Sequence, residues 1–370
     1  MIQFGSAVIG HEEMLNVLAV IRSGRLTQGR WVKAFEDGLA DYLGVKHVQA
    51  VSSGTSALHL ALLGCGVGPG DEVIVPATTF VATANAVLYC GARPVVCDVD
   101  PDDWTLDPFL ASDLITPRTK AVIPVHLYGA IADVSLLREL LRDHHARCGQ
   151  RIFIVEDCAE SFGAMYSTEG ALAGGCTYSD AAAFSFYGSK TITTGEGGAV
   201  ATNDQWIFHR VSHAYGHCQT TRYRHDGLGF NYRMTELSAA VGCAQLARID
   251  EFLEQRAEVF AWYEEILPAE FVRQWRAPDC RHGMWAYAVR HHQLRHVEDA
   301  AEVMITDHDI ECRPVFPPVC DFPHIGMPDA SCPTALELHR TGIVLPTHCN
   351  LDREDVETVC RSLEKVVSSS

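Results

Sequence analysis

The chain has 370 residues, 47% of them hydrophobic and 21% charged, enough to bury the core of one large domain and a smaller second one. Its formal net charge of -18 excludes nucleic acid or an anionic membrane surface as the main partner, while a local arginine cluster could still bind a small anion. No basic segment followed by an apolar core opens the chain, no apolar run reaches the ~20 residues of a membrane span, and the 14 cysteines form no Cys-x-x-Cys pair. These features predict a cytoplasmic protein with reduced thiols.

In chain order, WVKAFEDGLADYL (31–43) reads as a helix with Lys33 on its polar face. From residue 47 to 157 short apolar strands alternate with helical segments. The strands are HVQAVSS (47–53), EVIVPA (72–77), PVVCDV (94–99), AVIPVHLY (121–128) and RIFIVED (151–157). Between them, TSALHLALLGCG, TFVATANAVLYCG and DVSLLRELLRDHHAR carry apolar residues at helical spacing. This alternation predicts a mainly parallel sheet with ligands at the carboxyl ends of its strands. After residue 176, YSDAAAFSFY and GGAVATND read as two strands flanking a loop. The run from Met234 to Leu267 reads as one long helical stretch, long enough to connect two domains. MWAYAVR and VEDAAEVMITDHDI then supply strand and helix to a smaller unit. The expected organisation is an α/β domain over 1–247, with a mainly parallel central sheet, and a smaller α+β domain over 248–370.

The loop in FSFYGSKTITTGEGGAV (184–200) holds Lys190 among small and hydroxylated residues. It is not a Walker loop, because Lys190 follows Ser189 rather than glycine. The run GCGVGPG (64–70) lies after a helix and before a strand, the wrong order for a dinucleotide fingerprint. Of five lysines, Lys33, Lys46, Lys120 and Lys365 read as solvated charges, whereas Lys190 stands where small neighbours admit a planar ligand. A desolvated lysine there is a usable amine nucleophile; the plain alternative is a flexible loop. RIFIVED ends on Glu156 and Asp157, and Asp157 is placed either to cap a helix or to pair with a protonated heterocyclic nitrogen. Ser53, Gly54 and Thr55 open a helix after a strand, as a simple cap or as a phosphate nest. The Ser185 hydroxyl could reach the same phosphate, and Phe80 could stack on a ring. Taken together, amine, carboxylate, phosphate nest and aromatic describe a site for pyridoxal 5′-phosphate. His209, His213 and His217 recur every four residues. They lack the glutamate of a His-Glu-x-x-His motif, and Gly216 interrupts the helix, so no metal site is expected.

These residues carry a resemblance over nearly the whole chain. RLTQGRWVKAFE, SSGTSAL, GDEVIVPATTFVATANAV, VHLYG, EDCAESFGA, SFYGSKTITTGEGGAV, GFNYRM, RPVF and LPTH are similar to the motifs of the DegT/DnrJ/EryC1/StrS sugar aminotransferases. The resemblance implies the pyridoxal-phosphate-dependent transferase fold of type I. It implies transfer of an amino group from L-glutamate to a nucleotide-linked keto-sugar in polysaccharide (O-antigen) synthesis. SKTITTGEGG, RYRHDGLGFNYRM and IECRPVF resemble the members that aminate C4 of a GDP-linked 4-keto-6-deoxyhexose. By the same resemblance Lys190 carries the cofactor and shuttles the proton, and Asp157 pairs with the ring nitrogen. Ser185, Gly54 and Thr55 hold the phosphate, Phe80 covers the ring, and Glu160 lies beside the ring hydroxyl. Asn231 matches a residue that reaches the phosphate across a homodimer interface. Arg222, Arg224, Arg233 and Arg313 are candidates for the substrate diphosphate or the donor carboxylate, or are ordinary surface arginines. Tyr187 and Pro317-Pro318 depart from the subgroup's usual Phe and His-Pro. That leaves the substrate open, a keto-sugar aminated at C3 or a ketocyclitol, but not the reaction class. A relative that only binds these ligands is a separate alternative, against which the intact Lys190 and Asp157 weigh.

Overall fold

The computed structural model describes residues 1–166, 170–294, 296–327 and 331–369. Among these, seven strands build the main sheet: β1 (His47–Val51), β2 (Glu72–Pro76), β3 (Arg93–Cys97), β4 (Thr119–Val122), β5 (Phe153–Asp157), β6 (Ala181–Ser185) and β7 (Gly198–Thr202). They lie in the order β1-β7-β6-β5-β4-β2-β3, and β7 alone runs against the rest. The carboxyl ends of β1, β5 and β6 therefore share one edge. Along β2, Val73 and Val75 enter one hydrophobic cluster and Ile74 the other, so both faces of the sheet are covered. Continuous apolar runs of this kind are what a parallel sheet requires.

Helices α1 (His11–Ser23), α2 (Arg30–Leu43), α3 (Gly54–Gly64), α4 (Ala82–Tyr89), α5 (Pro108–Asp113), α6 (Val134–Cys148), α7 (Gln205–Ala214) and α8 (Glu236–Leu246) surround this sheet. Almost every residue of α3 is buried, which is why TSALHLALLG has no polar face. A short ribbon, β8 (Gln219–Thr221) with β9 (Arg224–His225), projects after α7. The remaining elements are α9 (Ile249–Ile266), β10 (Val272–Arg273), β11 (Tyr287–Arg290), α10 (Val297–Thr306), β12 (Arg313–Pro314), α11 (Pro333–Thr341), β13 (Gly342–Leu345) and α12 (Arg353–Ser369). The four strands form an antiparallel sheet in the order β10-β11-β13-β12, and α9, α10 and α12 share a third hydrophobic cluster with it.

Two expected elements differ. The helix read from Met234 to Leu267 is broken at Ala247–Arg248, where Arg248 takes φ -113° and ψ 13°. Its halves pack in different places, α8 on α1 and α2, α9 on α12. The Arg248 guanidinium fixes the joint, 3.1 Å from Glu251 of α9 and 3.6 Å from the buried Glu13 of α1. The strand read over 121–128 ends at Val122, because Pro124 has no N–H to donate. The chain stays beside β5 through single bonds, Asp157 N–H to Pro124 O at 2.9 Å and His126 N–H to Asp157 O at 3.1 Å.

Glu36 ties α2 to the edge strand: its Oε1 accepts from the Gln49 side chain at 2.7 Å and from Ala50 N–H at 3.0 Å. Burial pushes its carboxyl up to about 7, with the Ala50 bond opposing. A folded value above the unfolded one of about 4.3 means this group's stabilisation is complete at low pH and is lost as pH rises toward 7. Glu36→Gln keeps an acceptor without the charge. Its unfolding free energy from urea titration should match that of the wild type below about pH 4.5 and exceed it above pH 7, by of order 1–3 kcal/mol. Equal free energies at both pH values would contradict this.

Candidate active site

Strand β5 runs through the middle of the sheet and ends on two acids that face different surroundings. Glu156 is fully satisfied: its Oε2 takes bonds from Tyr166 O–H at 2.8 Å and Gly174 N–H at 3.0 Å, and Ser179 donates to Oε1. His126 Nδ1 accepts from Ala132 N–H at 3.1 Å, which leaves Nε2 to donate to Glu156 at 2.9 Å. Asp157 is equally buried but opens on a cavity. Its Oδ2 accepts from Thr83 O–H at 2.8 Å, and Thr83 is within 2.8 Å of the Thr79 hydroxyl; Oδ1 accepts from Ala159 N–H at 3.1 Å. Burial raises the Asp157 carboxyl, and Thr83, Ala159 and the positive charge at Lys190 only partly oppose it. A further cation brought to this carboxyl would restore its ionised form.

Lys190 lies on the loop after β6, with its N–H bonded to Tyr187 O at 3.0 Å. Its Nζ is 3.3 Å from Glu160 Oε1 and 3.8 Å from the centre of the Trp285 ring. Glu160 Oε2 accepts Tyr128 N–H at 2.9 Å, and burial raises its carboxyl against the pull of Lys190. Trp285 Nε1–H donates to Ser189 O at 2.9 Å, locking the aromatic ring to the lysine's own turn.

The third part of the site comes from the close approach of two strand ends. Ser185 and Val51 both oppose Gly198 of β7. A Cβ on Gly198 would come within 2.5 Å of Ser53 O and 2.6 Å of Phe184 O, so only glycine lets β1 and β6 end side by side. A Cβ on Gly54 would likewise lie 2.8 Å from Ser185 Cβ. Ser53 caps α3, its Oγ accepting Ser56 N–H at 3.1 Å. The helix's other opening N–H groups belong to Gly54 and Thr55, which line the cavity.

One cavity of about 270 Å³ is lined by Lys190, Asp157, Glu160, Ser53, Gly54, Thr55, Phe80, Ser185 and Arg313. Phe80 is exposed, with its ring 5.9 Å from that of Phe316. The cavity does not include Asn231, Arg222, Arg224 or Arg233. Arg222 and Arg224 are exposed on the ribbon, and Arg233 shares a separate hollow with Arg222. Thr83, Trp285 and Phe316 also line the cavity; Thr83 and Phe316 lie in the segments GDEVIVPATTFVATANAV and RPVF, but sequence alone assigns no role to these three side chains. This donor set, an amine, a buried carboxyl short of a cation, and a glycine-lined helix start beside a serine, suits a flat heterocycle bearing an aldehyde and a phosphate.

The three histidines do not converge. Helix α7 ends at Ala214, so His217 lies beyond it, near His225 of the ribbon. His213 instead meets Asp226 at 2.5 Å, with Cys218 Sγ within 4.8 Å of both. Two ligands of one tetrahedral zinc stand about 3.3 Å apart, given bonds of roughly 2.0–2.1 Å. The contact is a hydrogen bond that ties the end of the ribbon to α7.

The sheet order, the second antiparallel sheet and the cavity at the strand ends define a transferase of fold type I. The DegT/DnrJ/EryC1/StrS aminotransferase family model matches residues 7–364. The GDP-perosamine synthase of Caulobacter vibrioides is 43% identical over 350 residues, 92% of this chain and 91% of that one. The solved structure of DesV from S. venezuelae is 34% identical, with a TM-score of 0.88 over 96% of this chain and 94% of the other. The PLP form of the sugar aminotransferase Spr1654 from Streptococcus pneumoniae is 26% identical, with a TM-score of 0.91 over 99% and 98%. The chain belongs to the DegT/DnrJ/EryC1/StrS aminotransferase family and is an enzyme, a sugar aminotransferase.

The Thr83 hydroxyl is the one side-chain donor bonded to the Asp157 carboxyl among the described residues. A hydrogen bond to a charged group is worth about 1.5–3 kcal/mol. Thr83→Val should therefore weaken binding of added pyridoxal 5′-phosphate by roughly 10- to 100-fold in a fluorescence titration. Unchanged affinity would show that Asp157 does not meet the ligand.

Proposed function

We propose that the chain is a homodimeric, cytoplasmic enzyme that uses pyridoxal 5′-phosphate to move the amino group of L-glutamate to C4 of a GDP-linked 4-keto-6-deoxyhexose. The observation that carries this reading is the meeting of Lys190, Asp157 and the start of α3 in one cavity. The identity to the GDP-perosamine synthase of Caulobacter vibrioides supports the choice of sugar. When bound, the cofactor supplies an electron sink for the carbon that bears the amino group. Gly54 and Thr55 N–H groups and the Ser185 hydroxyl would hold its phosphate, and Asp157 would keep a proton on its ring nitrogen. Glu160 would lie beside its ring hydroxyl, and Phe80 would cover its open face. Lys190 Nζ, held between Glu160 and the Trp285 ring, would take and return the proton at the reacting carbon. The Trp285 ring covers one side of that amine.

The dimer rests on two features. Asn231 and the ribbon arginines do not line the chain's own cavity, which supports giving them a role at the site of a neighbouring copy. Met14, Leu15, Leu18 and Ile21 leave an apolar stripe of α1 exposed, as interfaces do. The compartment reading rests on the cysteines, all unpaired among the described residues. No helix among those residues is long and apolar enough to cross a membrane. The division into domains at 247/248 coincides with the break between α8 and α9.

The test is incubation with pyridoxal 5′-phosphate, L-glutamate and GDP-4-keto-6-deoxymannose, with mass detection of the products. The expected result is 2-oxoglutarate and an amino sugar nucleotide, both absent with Lys190→Ala. No amine from this substrate, with amine formed from a C3 keto-sugar or a ketocyclitol, would overturn the choice of acceptor.

A further inference from the structure

The first residues of the chain pack against Ser189, Trp285 and Arg313, which line this cavity. Ile2 pairs with Ile310 in parallel, its N–H bonded to Asp309 O and its carbonyl to Glu311 N–H, both at 2.8 Å. Phe4, two residues further on, is almost fully buried. Its N–H donates to Glu311 Oε2 at 3.0 Å, while the Arg313 guanidinium donates to Glu311 Oε1 at 3.2 Å. The Arg313 guanidinium carbon lies 4.0 Å from the centre of the Phe4 ring. On its other side the same ring meets Trp285 edge-on, at 6.0 Å and 75°. Gly5 comes so close to the lysine turn that a Cβ would stand 2.6 Å from Ser189 Cβ.

Arg313 is half exposed, as is Glu311. An ion pair between exposed groups contributes about 0–1 kcal/mol and leaves a long side chain free to wander. The ring beneath the guanidinium is what fixes its plane, since cation–π contact adds roughly 0.5–2 kcal/mol. Phe4 is thus the one apolar surface that both seats the cation at the cavity wall and braces the Trp285 ring beside Lys190.

We propose that Phe4 is a positioning residue: it holds the Arg313 guanidinium at the cavity mouth to receive an anionic group of a substrate, making the N-terminal segment a wall of the active site. This inference rests on the proposed function only in supposing that the ligands are anionic. The anion is a carboxylate of the amino donor or a phosphate of the nucleotide, and the two are separated by using unreactive probes.

The experiment measures binding of glutarate and of GDP to the cofactor-loaded enzyme by calorimetry, for wild type, Phe4→Leu, Arg313→Ala and the double variant. If Phe4→Leu does not fold, Phe4→Met takes its place, and Arg313→Ala alters only a surface side chain. The expected result is an about tenfold loss of affinity for the same one probe in each single variant. The double variant should bind no more weakly than Arg313→Ala, because both changes remove one interaction. Glutarate losing affinity assigns the donor carboxylate, and GDP losing affinity assigns the nucleotide phosphate. The proposal is overturned if Phe4→Leu binds both probes like wild type, if the two losses multiply, or if wild type binds neither probe. None of these readings depends on turnover, so a failure to aminate the favoured sugar would leave them standing.

Discussion

Everything at this site depends on one carboxyl that the sheet buries and does not fully neutralise. Asp157 lies at the end of a central strand, where desolvation outweighs the help of Thr83, Ala159 and Lys190. Its neighbour in sequence, Glu156, points into a network of four donors and is held low despite equal burial, since His126 and its companions offset the loss of water. The same strand thus makes one acid structural and leaves the next in need of a cation. Such a group is either held protonated or completed by a cation, because an uncompensated buried charge costs several kcal/mol. Lys190 and His126 only partly offset the burial of Asp157, and Lys190 is itself engaged by Glu160 and Trp285.

A second constraint is steric. The opening at the start of α3 lies where the ends of β1 and β6 and the start of β7 converge to within backbone contact. Gly198 sits between the Ser53 and Phe184 carbonyls, and Gly54 sits against Ser185. Side chains at either glycine would push apart the helix start and the serine that share the cavity. The glycine-rich character of the Lys190 loop therefore serves strand convergence as much as ligand clearance.

Much of this was legible in the sequence. The apolar strands announced a parallel sheet because both of its faces are covered, so each strand carries an unbroken apolar run. Lys190, Asp157, Ser53, Gly54, Thr55, Ser185 and Phe80 were found because strand ends are local features. The break at Ala247–Arg248 was not, since the apolar pattern continues through it; which layer each half joins decides the bend. Pro124 could have marked the early end of β4. Thr83, Trp285 and Phe316 lie in segments that the sequence marks for other reasons, and only the fold shows that these three side chains reach the cavity. The same holds for Phe4, whose neighbours Trp285 and Arg313 lie near the other end of the sequence. Among the arginines, residue type alone could not separate Arg313, at the cavity, from Arg222, Arg224 and Arg233, which lie elsewhere.

In the proposed enzyme Lys190 would bond the cofactor covalently. Borohydride reduction of the enzyme loaded with pyridoxal 5′-phosphate, followed by proteolysis and mass spectrometry, tests it directly. The account predicts a single phosphopyridoxyl mark on the peptide that contains Lys190 and none on the peptides of Lys33, Lys46, Lys120 or Lys365. A mark on any of those four with Lys190 unmodified, or no mark at all, would contradict it.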